Sequence, residues 1–186
     1  QRCVVSIFYY WFRNFWIFTF GGGRELLHSA GLNSVILIGE LVDFSDKLQG
    51  LGGSAYLQVI HGQKNGRPPA CDLGTERTLG TTLLGLIQSG LVKSAHDCSE
   101  GGLGVALAES CISHPQAPRG AVFDIESTIR NDACLFGESQ SRILVSFSAR
   151  NRATVEEKAK TMGVPFSVIG KVGGDSLVVN INGKRF

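Results

Sequence analysis

Residues 95–104 read Ala95-His96-Asp97-Cys98-Ser99-Glu100-Gly101-Gly102-Leu103-Gly104. Four polar side chains are crowded ahead of two glycines, and an apolar, helix-like run continues through Ala108. The first N–H groups of a helix have no partner within it, and the helix dipole adds positive potential there. Glycine has no Cβ, so a ligand could approach the backbone closely. The stretch therefore predicts a loop at a helix start where Ser99, Gly101 and Gly102 contact a phosphate or nucleotide.

Short apolar runs and amphipathic runs alternate on both sides of this stretch. Apolar runs bounded by turn residues predict strands at residues 35–38, 91–95, 121–125, 142–147, 166–169 and 177–181. Helical spacing predicts helices at residues 73–89, from the glycine pair to about 113, 131–137 and 153–162. Residues 56–60 fit either a helix or a strand. The alternation with unequal loops favours an α+β fold, in which helices cover a mixed β-sheet.

The helix predicted at residues 73–89 has clear boundaries. Asp72 is a typical N-cap residue, and Gly90 is a typical stop. Its apolar face is predicted to consist of Leu73, Leu79, Leu83, Leu86 and Ile87.

Composition limits the class of protein. The chain has 186 residues, of which 43% are hydrophobic and 18% are charged, so it can build the core of one ordinary domain. A net charge of +2 without a Lys/Arg cluster argues against a nucleic-acid partner and favours a small molecule. The five cysteines are scattered and form no C-x-x-C pair, which argues against disulfides and structural zinc. We expect reduced thiols in a cytoplasmic protein, with Cys111 and Cys134 in the core.

The first thirty residues differ from the rest of the chain. The chain begins at Gln1 and its single methionine is Met162, so we expect it to be part of a longer protein. Residues 1–20 hold nine of the sixteen aromatic residues. A transmembrane helix is opposed by Arg13 and Asn14 at its middle, and a signal peptide by its poor cleavage site. We favour a third interpretation, in which residues 1–30 are extraneous to a domain spanning residues 31–186.

Two further polar motifs are candidate contacts, each with a plainer alternative. Leu51-Gly52-Gly53-Ser54 could form a backbone nest for a phosphate, or only a tight turn. Glu138-Ser139-Gln140 lies between a predicted helix and a predicted strand. It could offer donors and acceptors to a substrate, or it could be an exposed turn.

Asp97 is the candidate metal ligand. It follows a predicted strand, where α/β proteins often place ligand-contacting residues. Its carboxylate could supply one oxygen ligand to Mg²⁺, or Asp97 or Ser99 could simply cap the next helix. His96 beside it could equally be a structural hydrogen-bonding residue.

Taken in order, six segments resemble one enzyme family. They are VILIGE, LGGSAYL, GRPPACDL, SAHDCSEGGLGVALAES, LFGESQSRILV and VIGKV. The chain resembles the formylglycinamide ribonucleotide amidotransferases, also called phosphoribosylformylglycinamidine synthases, from about Val35 to Gly173. The likeness is to the carboxy-terminal domain of the second half of the large synthetase subunit. That domain is similar to the carboxy-terminal domain of aminoimidazole ribonucleotide synthetase-related proteins.

The resemblance implies an activity, two cofactors and two partners. The family is an ATP-dependent carbon–nitrogen ligase of purine biosynthesis that converts formylglycinamide ribonucleotide to its amidine. ATP and Mg²⁺ are the implied cofactors, and a glutaminase subunit or domain supplies ammonia. The ATP-binding half and its catalytic histidines lie upstream in the family. We therefore expect the isolated chain to be inactive, with no nucleic-acid or membrane partner.

The resemblance also implies roles for individual residues. In the first half of the family's synthetase, the residue matching Asp97 binds magnesium, and the trio matching Glu138, Ser139 and Gln140 touches substrate. The second half holds a structural nucleotide instead, so no residue here is expected to be catalytic.

Three alternatives stay open at this point. The chain could belong to a related enzyme, such as aminoimidazole ribonucleotide synthetase, thiamine-phosphate kinase or selenophosphate synthetase. It could be a non-catalytic module that completes a subunit interface. A membrane-anchored form would depend wholly on residues 1–20.

Overall fold

The fold is described from a computed structural model of the chain. The structure describes residues 17–19, 33–39, 49–112 and 119–186. Its strands are β1 (Ile17–Thr19), β2 (Asn33–Ile38), β3 (Val92–Asp97), β4 (Ala121–Ile125), β5 (Ile143–Ser148), β6 (Phe166–Val172), β7 (Leu177–Ile181) and β8 (Lys184–Arg185). Its α-helices are α1 (Ala55–His61), α2 (Leu73–Gln88), α3 (Gly102–Ile112), α4 (Asn131–Phe136) and α5 (Arg152–Thr161).

All the described strands belong to one sheet, in the order β1-β3-β5-β2-β6-β4-β7-β8. Strands β4 and β7 pair in parallel, and the other neighbours pair in antiparallel fashion. The sheet is therefore mixed, and helices lie on both of its faces, which confirms the predicted α+β architecture.

One face of the sheet packs against α3 and α4. The fully buried side chains of this layer come from both helices and from the sheet: Leu103, Leu107, Cys134, Ile125 and Ile181. Cys111 and Cys134 both belong to this cluster, which confirms their predicted place in the core.

The other face packs against α2 and α5. Its fully buried members are Ile38, Leu79, Leu86, Val145, Phe147 and Val155. Alternation along β5 separates the two layers, because Val145 and Phe147 face α2 and α5 whereas Leu144 faces α3 and α4.

A register irregularity between Val92 and Ser94 decides which way β3 presents its side chains. Val92 and Ala95 are three residues apart, yet both pack on the α2 and α5 side. An extra residue in one strand shifts the alternation in this way. As a result His96 is turned toward α3, where it meets Glu109.

Several predicted boundaries need correction. Residues 56–60 lie in helix α1 rather than in a strand. His96 and Asp97 are the last two residues of β3 and do not follow it, because pairing with β5 continues as far as Asp97 opposite Ile143. Leu73 is 77% exposed and does not belong to the apolar face of α2. It lies six residues before Leu79, which at about 100° per residue puts it about 120° round the helix.

Part of the sequence lies outside the described residues. It includes residues 113–118 and most of residues 1–30. Within the latter, residues 17–19 form β1 at the edge of the sheet, paired with β3. The extraneous character of residues 1–30 stays a prediction. Among the described helices, none is both long and apolar enough to cross a bilayer.

Replacing Phe147 by alanine should test the α2 and α5 layer. Phe147 is fully buried, so Phe147→Ala is expected to lower the free energy of unfolding by about 3–5 kcal/mol. Phe186→Ala is the matched control, because this ring is 51% exposed and its loss should cost about 1 kcal/mol or less. Chemical denaturation of both variants measures the difference, and equal losses would contradict the described core.

Deletion of residues 1–30 should leave a cooperatively folding chain. In the described part of the molecule this segment supplies only the three-residue edge strand β1, and every core residue described lies at Ile38 or beyond. Thermal unfolding followed by circular dichroism should show a single sigmoidal transition for residues 31–186. A gradual, non-cooperative loss of signal would show that the segment is part of the domain.

Candidate functional site

Three loops meet at one edge of the sheet, and we call them the three-loop cluster. They are residues 49–54 before α1, residues 98–101 between β3 and α3, and residues 137–142 between α4 and β5. Because β3 and β5 are antiparallel, the end of β3 lies beside the start of β5. The Cys98 amide donates to the Arg142 carbonyl at 3.0 Å, so the second and third loops are joined directly.

Glu138 joins all three loops through hydrogen bonds. Its Oε1 accepts from the amides of Ala55 and Gly101, each at 2.8 Å. Its own amide donates to the Gly50 carbonyl, also at 2.8 Å. Hydrogen bonds to an ionised carboxylate are stronger than neutral ones. The first residue of the sequence trio is therefore the central structural contact of the cluster.

Gly102 shows why the glycine pair is needed. Its φ of +65° is unfavourable for other residues. A Cβ at this position would lie 2.9 Å from the Leu135 carbonyl oxygen and closer still to that of Gly137. The backbone of residues 135–137 therefore occupies the space that a side chain at Gly102 would need.

The amides predicted to hold a phosphate are used within the chain. Gly53 donates to Asn65 at 2.9 Å, Ser54 to Leu51 at 3.1 Å, and Gly102 to Ser99 at 3.0 Å. The Ser54 hydroxyl caps α1, as the tight-turn alternative requires. Phosphate contact at Gly52, Gly53, Ser54, Ser99, Gly101 and Gly102 stays a prediction. A phosphate that binds the amides of Gly53, Ser54, Gly101 or Gly102 would have to displace existing hydrogen bonds.

His96 is a buried imidazole held between two acceptors. Its Nδ1 lies 2.7 Å from the Asp97 carbonyl oxygen, and its Nε2 lies 3.0 Å from Glu109 Oε2. Burial acts to lower the pKa of His96, but the Asp97 and Glu109 acceptors outweigh it, so this pKa is raised. Burial raises the pKa of Glu109. His96 therefore has a structural role, since it links β3 to α3 through its contact with Glu109.

Asp97 has a carboxylate oxygen that the chain leaves without a partner. Its Oδ1 is buried and accepts no hydrogen bond, and it lies 3.6 Å from His96 Nδ1, which is too far for one. Burial acts to raise the pKa of Asp97, but His96 and Ser99 lower it by more. The pKa is therefore below its ordinary value, and the carboxyl is ionised at neutral pH. Buried polar atoms are nearly always satisfied, so an unpartnered buried oxygen is an unusual feature of this site.

The residues around Asp97 fit magnesium only in part. No group of three His, Cys, Asp or Glu side chains in the described ranges could hold a metal ion. Mg²⁺ is commonly bound by one or two carboxylates, with water and phosphate oxygens completing its shell. One ionised carboxylate oxygen is compatible with that pattern.

A cleft of about 570 Å³ opens on the α2 side of the third loop. Ser139 and Gln140 line it, together with Asp72, Thr75 and Thr78 from the start of α2. Its size suits a small molecule. Asp97 is not among the described residues that line it, so the structure brings Asp97 and the trio to the same edge of the sheet without placing both in this cleft.

Sequence reasoning missed two features of the site. It assigned Asp72 only as an N-cap, which it is, since Oδ1 accepts from the Thr75 amide at 2.6 Å. Its position in the cleft depends on packing between α2 and the third loop, which has no local signal. The second feature is Arg142, for which the sequence predicts only a position at the start of a strand.

The family described as AIR synthase related protein, C-terminal domain, matches residues 33–182. The chain is 45% identical over 150 residues to the phosphoribosylformylglycinamidine synthase subunit PurL of Anaeromyxobacter dehalogenans strain 2CP-C, covering 76% of this chain and 20% of that protein. Two Thermotoga maritima structures, of PurL complexed with FGAR and with ATP, share the fold. Their TM-scores are 0.69 and 0.61, at 20% identity, covering 82% and 83% of this chain and 26% and 24% of theirs.

The fold and the match over residues 33–182 define an AIR synthase related C-terminal domain, and the chain belongs to this family. Two relatives at 45% and 47% identity, from Anaeromyxobacter dehalogenans and Moorella thermoacetica, are PurL subunits. The chain spans about a fifth of the length of these curated relatives.

Substitution of Glu138 should reveal how much the three-loop cluster depends on it. Glu138→Ala leaves the Ala55 and Gly101 amides without an acceptor, which is expected to lower the free energy of unfolding by about 1–3 kcal/mol. Glu138→Gln keeps an acceptor oxygen and should cost less. Urea denaturation measures both, with the exposed Glu126→Ala as control. If the alanine and glutamine variants lost the same stability, the double hydrogen bond would not be the cause.

Proposed function

We propose that this chain is the carboxy-terminal domain of the second half of a PurL-type amidotransferase synthetase. In that setting it would take part in ATP- and glutamine-dependent conversion of formylglycinamide ribonucleotide to its amidine. The identity to PurL subunits supports the assignment. The observation that carries it is the pair of hydrogen bonds at Glu138, because they assemble the loops that the family resemblance implies as ligand-facing.

The ligand we propose is a nucleotide held with magnesium. The two T. maritima structures that share this fold are complexes with FGAR and with ATP, which supports a nucleotide-derived ligand. Ser139 and Gln140 would contact it from the cleft, and the unpartnered Oδ1 of Asp97 would be the protein's ligand to Mg²⁺. When bound, the ion would offset negative charge on the phosphates.

The residues of this chain bind and orient rather than react. In the full reaction ATP phosphorylates the amide oxygen, which turns a poor leaving group into phosphate, and ammonia then displaces it. The ionised Asp97 carboxylate attracts a cation, and the third loop places the buried Ser139 next to the exposed Gln140. We assign no catalytic residue to this chain.

Two partners and a location belong to the same proposal. An ATP-binding half would come from the remaining four-fifths of a PurL-length protein, and a glutaminase subunit or domain would supply ammonia. The cysteines in the described part of the chain are free thiols, which supports a cytoplasmic location.

A domain exchange tests the proposal. The chain alone is expected to show no ATP-dependent amidine formation. Residues 33–182, placed in the PurL subunit of A. dehalogenans in exchange for the matching segment, should retain amidine formation with ATP and ammonia. In this chimera Asp97→Ala should weaken Mg·nucleotide binding about ten-fold or more, measured by equilibrium dialysis, because the cation loses a carboxylate ligand.

The controls separate the alternatives. Asp175→Ala removes an exposed carboxylate and should leave binding unchanged. Turnover by the chain alone, or an inactive but folded chimera, would contradict the proposed function. An active chimera in which Asp97→Ala binds nucleotide normally would favour a non-catalytic interface module, with Asp97 serving only the helix start.

A further inference from the structure

Arg142 is a buried guanidinium turned back onto its own loop. The residue is 4% exposed and immediately precedes β5. Its Nε donates to the Ser139 carbonyl at 3.1 Å, and its Nη2 donates to the Gly137 carbonyl. Burying a charged guanidinium costs free energy unless its N–H donors are hydrogen-bonded, so these two contacts offset part of the desolvation cost.

The two carbonyls that Arg142 holds lie on either side of Glu138. Fixing the peptide groups after Gly137 and after Ser139 leaves Glu138 little freedom, so its side chain is directed at the Ala55 and Gly101 amides. Lysine could not hold both carbonyls in this way, since only arginine has a planar fork of donors.

The main chain of Arg142 holds the second loop as well. Its carbonyl accepts from the Cys98 amide at 3.0 Å, next to Asp97. Arg142 therefore holds the third loop in place through its side chain and the second loop through its backbone carbonyl. No side-chain contact to a ligand is needed for either effect.

We propose that Arg142 is the positioning residue of the three-loop cluster. Its guanidinium holds the backbone at Gly137 and Ser139, so that Glu138 can join its own loop, which bears Gln140, to the loop that follows Asp97. The importance of this arrangement for ligand binding rests on the proposed function, whereas the arrangement itself does not.

Amide hydrogen exchange in the 186-residue chain tests this role. Exchange at Ala55 and Gly101 is expected to accelerate about ten-fold or more in Arg142→Ala, beyond any change explained by global unfolding. Arg142→Lys should lie between wild type and Arg142→Ala. Arg130→Ala is the matched control, because this arginine is exposed and its side chain bonds only Asp132 among the contacts described for it. Its exchange at both amides should match wild type.

Chemical rescue separates positioning from simple loss of packing. A low, non-denaturing concentration of guanidinium should slow exchange at Ala55 and Gly101 in Arg142→Ala, whereas ammonium at the same concentration should not. Wild-type exchange at both amides in Arg142→Lys, or no effect of guanidinium on folded Arg142→Ala, would overturn the proposal. If Arg142→Ala does not fold, the lysine variant decides the question alone.

The outcome of the hydrogen-exchange experiments does not depend on the proposed function. Failure of the chimera to bind Mg·ATP would count against that function and would leave the exchange result standing. Unchanged exchange in the lysine variant would remove the role of Arg142 even if the chimera binds nucleotide.

Discussion

One carboxylate oxygen, Oε1 of Glu138, accepts hydrogen bonds from two amides that lie 83 and 37 residues away along the chain. An amide buried without a partner costs more free energy than a single hydrogen bond contributes. The entry to α1 and the entry to α3 therefore both depend on the same side chain. Since Asp97 lies just before one of these entries and Gln140 just after Glu138, the geometry of the candidate site depends on this contact.

The loops can meet this closely only because backbone packs on backbone. At Gly50 a Cβ would come 2.7 Å from the Ser139 hydroxyl, and at Gly102 it would meet two carbonyl oxygens. The glycines thus serve the contact between loops. The amides of Gly53, Gly101 and Gly102 already donate within the chain, which leaves side chains, rather than a backbone nest, as the groups most available to a ligand.

Asp97 stands out against this background of satisfied polar groups. Its Oδ1 is the one buried side-chain atom without a hydrogen-bond partner among the residues that the structure describes. The His96 imidazole beside it is fully engaged, with Asp97 on one side and Glu109 on the other. This unsatisfied oxygen is the reason that Asp97, rather than His96, is the residue proposed as a ligand to Mg²⁺.

Local pattern accounted for most of the secondary structure and the α+β class. Apolar runs at β4 and β7 and the Asp72 cap of α2 carry their own signals, because strand alternation and helix capping are short-range effects. The polar stretch at residues 95–104 likewise marked the correct end of the sheet, and it lies within the longest of the six segments that carry the family resemblance.

Only the tertiary structure decided what the polar residues do. The extra residue in β3 turned His96 toward α3, and pairing with β5 extended the strand through Asp97. Glu138 contacts residues that are distant in sequence, and the Arg142 side chain contacts its own loop, which folds back on it. Neither kind of contact produces a periodic pattern in the sequence. Propensity and periodicity report a residue's neighbours along the chain, whereas hydrogen-bond partners across loops are set by how strands pair and layers pack.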